Sequence, residues 1–94
     1  MYETQIAAGA ALLDKRVPGW RERVNVDMLW MREVHQCILG QVTSGYWQGV
    51  EMLGLTEQED VVAHGFCISV SGSTQDEWGT LTREWVEFLQ APAE

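Results

Sequence analysis

The apolar positions of this chain fall into short runs at helical spacing, punctuated by glycines. Ile6, Ala10, Leu13 and Val17 recur at four, three and four residues, one face of a 3.6-residue helix. They predict a first helix over about 3–16. Gly9 lies beside that stripe, where a missing side chain admits the close approach of another helix. Pro18 moves Val17 out of helical geometry and Gly19 completes the stop, so Trp20 is expected to fold back as a lid. Residues 20–27 read as a connector in which Val24 and Val26 alternate as in a short extended piece. Asn25 or Asp27 there supplies a cap for the next helix. Met31, Val34, Ile38 and Val42 repeat at three, four and four, which predicts a second helix over about 28–43 with Trp30 and Cys37 on its flank.

Thr43-Ser44-Gly45 is a break. Tyr46, Val50 and Leu53 then continue at helical spacing and predict a third helix over about 45–53, ending at Gly54. Thr56-Glu57-Gln58-Glu59 fits a capping box, and Gly65 fits the left-handed residue after a helix, with Phe66 positioned for the accompanying apolar contact. A fourth helix therefore covers about 57–64. Phe66, Ile68 and Val70 alternate with Cys67 and Ser69, the two-residue period of a strand, which either pairs with 24–26 or is simply extended. Ser71-Gly72-Ser73 is a loop, and Thr74 to Glu77 fits a second capping box. Trp78, Leu81, Trp85 and Phe88 form the strongest amphipathic stripe and predict a last helix over about 75–90, weakened near its start by Gly79 at about 1 kcal/mol. Residues 91–94 read as a flexible tail. The expected fold class is mainly α: a compact single domain, 1–94, of four to five short helices, with one short two-stranded β element (24–26 with 66–70).

Composition narrows this picture without redrawing it. Ninety-four residues make one domain, and an apolar content of 46% is ordinary for a globular protein. Five Trp are many for this length. Most are expected to staple a small core, leaving one or two exposed to mark a binding surface. Ala7 to Leu13 is preceded by Glu3 and closed by Asp14, which argues against a signal peptide. No stretch approaches the roughly 20 apolar residues of a membrane span. With two cysteines and no export signal, reduced thiols in a cytoplasm are expected.

Several strings of the chain resemble a known family. They are Gly9-Ala10-Ala11-Leu12-Leu13-Asp14, Val17-Pro18-Gly19-Trp20, Cys37-Ile38-Leu39-Gly40-Gln41, Tyr46-Trp47, Leu53-Gly54, His64-Gly65-Phe66, and Leu81-Thr82 with Trp85. In this order they are similar to small uncharacterised proteins of actinobacteriophages, mycobacteriophages especially, and of related actinobacterial genomes. The apolar stretch Met28 to Met31 departs from the more polar, turn-like segment that the resemblance implies there. The family has no agreed activity. The resemblance implies a phage or prophage origin and a cytoplasmic role in an infected or lysogenic bacterium.

Candidate chemistry is sparse. His35, Cys37, His64 and Cys67 are the ligand types of a structural zinc site, but His35 and Cys37, two residues apart on a helix, point to different faces. Packing of the cysteines, and a histidine complementing a helix dipole, is the preferred reading, and no cofactor is expected. Cys37 beside a histidine is a weak nucleophile candidate, the carboxylates look like helix-start residues, and phosphate-cradling glycine loops are absent, so no enzyme is expected.

Charge is the remaining signal. Residues 1–50 hold five acids and five bases; residues 51–94 hold nine acids against Arg83 alone, which yields the formal −8. Lys15, Arg16, Arg21 and Arg23 cluster around Trp20, a corner that would suit phosphates with an aromatic stack, although Asp14 and Glu22 offset it and the net charge opposes a duplex. Glu57, Glu59, Asp60, Asp76 and Glu84, together with Glu51, Glu77 and Glu87, form an acidic lobe. It is read first as solvated helix faces and second as a mimic of nucleic-acid phosphate. The functional expectation is a small intracellular protein that binds and modulates a host protein, with no membrane contact and a homodimer as a further option. The alternatives are a nucleic-acid-associated regulator acting through 15–23 and an acidic DNA mimic.

Overall fold

A computed structural model describes residues 2–68 and 75–90. Among them lie six helices: α1 (Glu3–Arg16), α2 (Trp20–Arg23), α3 (Ile38–Val42), α4 (Tyr46–Met52), α5 (Gln58–Ala63) and α6 (Gln75–Gln90). A single 3-10 turn, Val26–Met28, separates α2 from α3. The mainly helical class is as expected, whereas the short β element is absent among the described residues. Residues 24 and 25 are irregular, Val26 enters the 3-10 turn, and 66–68 bend away from the end of α5. Residues 69 and 70 of that expected strand, the 71–73 loop, Thr74 of the second capping box and the 91–94 tail lie outside the described residues.

The two longest helices hold the core. Ile6, Gly9, Ala10 and Leu13 of α1 are buried, as are Leu81 and Trp85 of α6, and α1 packs against both α5 and α6. The Tyr2 backbone N–H donates to Glu84 Oε1 at 2.7 Å and ties the start of α1 to α6. Trp85 sits at the centre. Its ring stacks on Phe66 (centroids 5.9 Å apart, 12° between planes) and meets Trp20 and Phe88 edge to face at 6.2 and 6.1 Å. Its indole N–H donates to the Gly65 carbonyl at 2.7 Å, inside the core. An aromatic cluster of this kind contributes both buried area and ring–ring attraction.

Glycines end two of the short helices. At Gly54 (φ +71°) and Gly65 (φ +73°) the chain turns left-handed. Leu55 N–H reaches the Val50 carbonyl and Gly54 N–H that of Glu51; Phe66 N–H reaches Val61 and Gly65 N–H reaches Val62. Both sets are Schellman turns, which satisfy carbonyls that a helix end leaves open. The capping box foreseen at Thr56 does not form. Glu57 occupies the cap position of α5 with no side-chain bond to the backbone.

The largest departure from the periodicity is at 28–43. Only Ile38–Val42 is helical, and 29–37 is a run of turns. Cys37 Sγ caps α3 by accepting the Gly40 N–H at 3.3 Å. The reason lies in Gly40, whose absent Cβ leaves room for the backbone of 34–35 to fold onto α3; a Cβ there would overlap the Val34 carbonyl oxygen and stand 2.7 Å from His35 Cα. That carbonyl instead accepts the Tyr46 N–H at 2.9 Å and opens α4. The Thr82 hydroxyl accepts the Met31 N–H at 3.0 Å while donating to the Trp78 carbonyl, which clamps the turns to α6. Val34, inside the predicted stripe, is consequently 41% exposed.

Gly79 has a helical interior position in α6, and a Cβ added there would meet nothing within 4 Å. Gly79→Ala is therefore expected to stabilise the domain by about 0.5–1 kcal/mol. Thermal unfolding checks this, with a rise in Tm of a few degrees expected for a domain of this size.

Candidate functional site

The four bases of the basic corner are exposed, but the tryptophan at its centre is not. Trp20 is buried, so it cannot stack on a nucleotide base, a correction to its place among the partner-binding candidates. Its indole N–H donates to Asp14 Oδ1 at 2.8 Å. Arg21 lies 3.8 Å from Asp14 Oδ2 and spreads its guanidinium over the rings of Trp20 and Phe88, 5.3 Å from each centroid. Arg23 donates to the Val42 carbonyl at 3.3 Å. Lys15 and Arg16 are exposed at the end of α1, where they complement the helix dipole. The lid expected of Trp20 is real, and two of the four bases help to hold it.

The zinc-type residues do not converge: among the described residues no three His, Cys, Asp or Glu side chains are grouped to hold a metal ion. Cys37 is buried as the cap of α3, and burial pushes its thiol up. His64 Nδ1 sits 2.7 Å from the Asp60 carbonyl oxygen within its own helix turn. Cys67 is half-buried, with its thiol also raised by burial, and accepts from Gln58 Nε2 at 3.2 Å. Neutral thiols are poor nucleophiles and poor metal ligands.

Of the acidic lobe, Glu57, Glu59, Asp60 and Asp76 are exposed, and Glu84 is half-buried beside Tyr2. Glu57, Glu59 and Asp60 surround the start of α5, where Gln58 reaches an exposed surface rich in aromatic rings.

That surface centres on Trp47, which is 73% exposed. Trp47 falls out of phase with the Tyr46–Val50–Leu53 stripe and shares the outer face of α4 with Gln48 and Glu51, a mismatch already visible in the sequence. Beside it is a hollow of about 230 Å³ lined by Met31, Glu33, Tyr46, Trp47, Cys67 and Trp78, with Arg32, Val34 and Gln58 completing the wall. The turns at 29–37 build one side of it, so the segment that fails to become helix is the one that shapes the site. Tyr46 and Trp47 meet edge to face, 4.9 Å between centroids and 84° between planes.

Burial, the neighbouring Cys67 and Cys37 thiols and a hydrogen bond to Cys67 push the Tyr46 hydroxyl up to about 12. A raised phenol stays protonated longer when folded than when unfolded. Its stabilising contribution is complete below about pH 10, the ordinary tyrosine value, and is lost as pH climbs through about 12. In an absorbance titration of tyrosinate, the native chain is expected to ionise later than the urea-unfolded chain, and Tyr46→Phe to remove most of that lag.

A second hollow, of about 560 Å³, lies between α1 and α6 with Glu3, Ile6, Arg83, Glu84, Glu87 and Phe88 on its wall. No helix among the described residues is long and apolar enough to cross a membrane. No protein-family model matches the chain, and neither a curated protein nor a solved structure is similar to it.

Proposed function

We propose that this chain is a non-enzymatic binding protein that docks a partner protein on its Trp47 face and thereby modulates that partner. The observation that carries the reading is a tryptophan 73% exposed at the rim of a hollow, in a chain whose Trp20 and Trp85 are fully interior. Large exposed aromatics beside a concavity are the usual anchors of protein interfaces. Exposed Glu57, Glu59 and Asp60 at the start of α5, where Gln58 reaches the hollow, favour a partner with a basic rim. In keeping with the phage resemblance, the partner class is a host bacterial protein met in the cytoplasm.

Affinity capture from an actinobacterial cytosol tests this with three baits: wild type, Trp47→Ser, and the Lys15→Gln/Arg16→Gln pair. A stoichiometric partner retained by wild type and by the pair, weakened by salt and lost with Trp47→Ser, is the expected result. Capture indifferent to Trp47 overturns the proposal. Capture that depends instead on the basic pair and is replaced by nucleic acid would restore the corner at 15–23.

A further inference from the structure

We propose that the Trp47 hollow is an aromatic cage for a methylated ammonium group. The inference rests on reading this hollow as the binding site and names the chemistry it takes. Three aromatic side chains, Tyr46, Trp47 and Trp78, line a space of about 230 Å³, ample for a trimethylammonium head. Tyr46 and Trp47 stand at 84° to each other, so their rings form two walls rather than a single platform. The negative face of an aromatic ring attracts a cation, most strongly for tryptophan. Methylation removes the N–H donors that a bare ammonium would have to strip of water, which matches walls of Met31, Val34 and ring carbon.

The wall of the hollow carries one acid and one base, and the exposed acids Glu57, Glu59 and Asp60 beside Gln58 tip the balance towards a cation. The acid of the wall is Glu33, and residues 51–94, which contribute three of its lining residues, hold nine acids against one base. Among the described residues the cation–π contacts are those of Arg21 with Trp20 and Phe88. The rings of the Trp47 hollow are thus left for a cation from outside. Arg32 also lines the hollow and opposes a cation there, which fixes the sign of a second test.

Choline and tetramethylammonium are the probes, read by proton–nitrogen NMR of the Trp47 and Trp78 indole groups in the whole chain. The control is 3,3-dimethyl-1-butanol, the uncharged carbon isostere of choline. Millimolar choline is expected to shift both indoles and to bind about 2- to 5-fold or more tightly than the isostere. Trp47→Leu, which keeps an apolar wall but no indole, should abolish the preference; Arg32→Gln should tighten choline binding and Glu33→Gln weaken it. Equal binding of choline and the isostere, or no shift at either indole, overturns the cage. Trp47-dependent capture of a partner with no such preference would leave the docking face standing as an ordinary apolar pocket. Loss of Trp47 dependence in the capture would remove the docking face itself.

Discussion

Trp85→Ala is expected to cost about 3–5 kcal/mol for the lost ring alone, a large part of the roughly 5–15 kcal/mol that holds a domain of this kind together. Trp85 is fully buried and touches the rings of Phe66, Trp20 and Phe88. Removing it leaves a cavity among Trp20, Phe66 and Phe88. It also strands the Gly65 carbonyl, which accepts the Trp85 indole N–H at 2.7 Å. An orphaned buried acceptor adds about 1–3 kcal/mol. Trp85→Phe separates the two contributions, since it keeps most of the apolar volume and loses the donor. Urea unfolding should place it between wild type and Trp85→Ala. A Trp85→Phe variant as stable as wild type would mean that the carbonyl finds another partner, and would remove the hydrogen bond from the account.

Gly9→Ala is expected to destabilise by about 1–3 kcal/mol, despite alanine's better helix propensity. A Cβ at Gly9 would overlap the His64 carbonyl oxygen and stand 3.1 Å from Phe66 Cζ. The first obstacle is backbone at the Schellman turn of α5, so no flexible side-chain tip can swing away. Moving that turn would also shift the Gly65 carbonyl off the Trp85 indole. The contrast with Gly79→Ala is diagnostic, because the same change at two interior helix positions should carry opposite signs. A gain in stability at both sites would show that α1 and the 64–66 turn can separate without loss.

The elements readable in the chain were those whose signals are local. α1 and α6 follow their stripes to the expected ends, and α4 and α5 stop at Gly54 and Gly65 because a left-handed turn needs a residue without Cβ. The stripe Met31–Val34–Ile38–Val42 misled because helical spacing is a local regularity, while the break at 29–37 is decided by distant partners. Thr82, fifty-one residues away, takes the Met31 N–H, and Gly40 admits the 34–35 backbone. The site was legible only in part. One or two exposed tryptophans were expected without saying which, and the phase within 46–53 is the signal that singles out Trp47. The walls contributed by Glu33, Cys67 and Trp78 come from segments far apart in the chain and meet only once it is folded. Trp20 carries two expectations, a lid folded back by the Pro18-Gly19 stop and an aromatic of the basic corner, and its burial favours the first.

The bond from Tyr2 to Glu84 spans eighty-two residues and has a consequence for how the protein must be made. α3, α4 and α5 have five to seven residues each, too short to persist alone in water. A nascent chain that has emerged from the ribosome only as far as residue 68 has α1 and these fragments but lacks Trp85, against which Trp20 and Phe66 pack. The core therefore closes only once α6 has been made, after a long loop-closure step, and Trp20 and Phe66 lack their Trp85 contacts until then. Partially synthesised or truncated forms are the species most exposed to proteases and aggregation, and the abundance of the protein in a cell should be set as much by how promptly α6 arrives as by the stability of the finished fold.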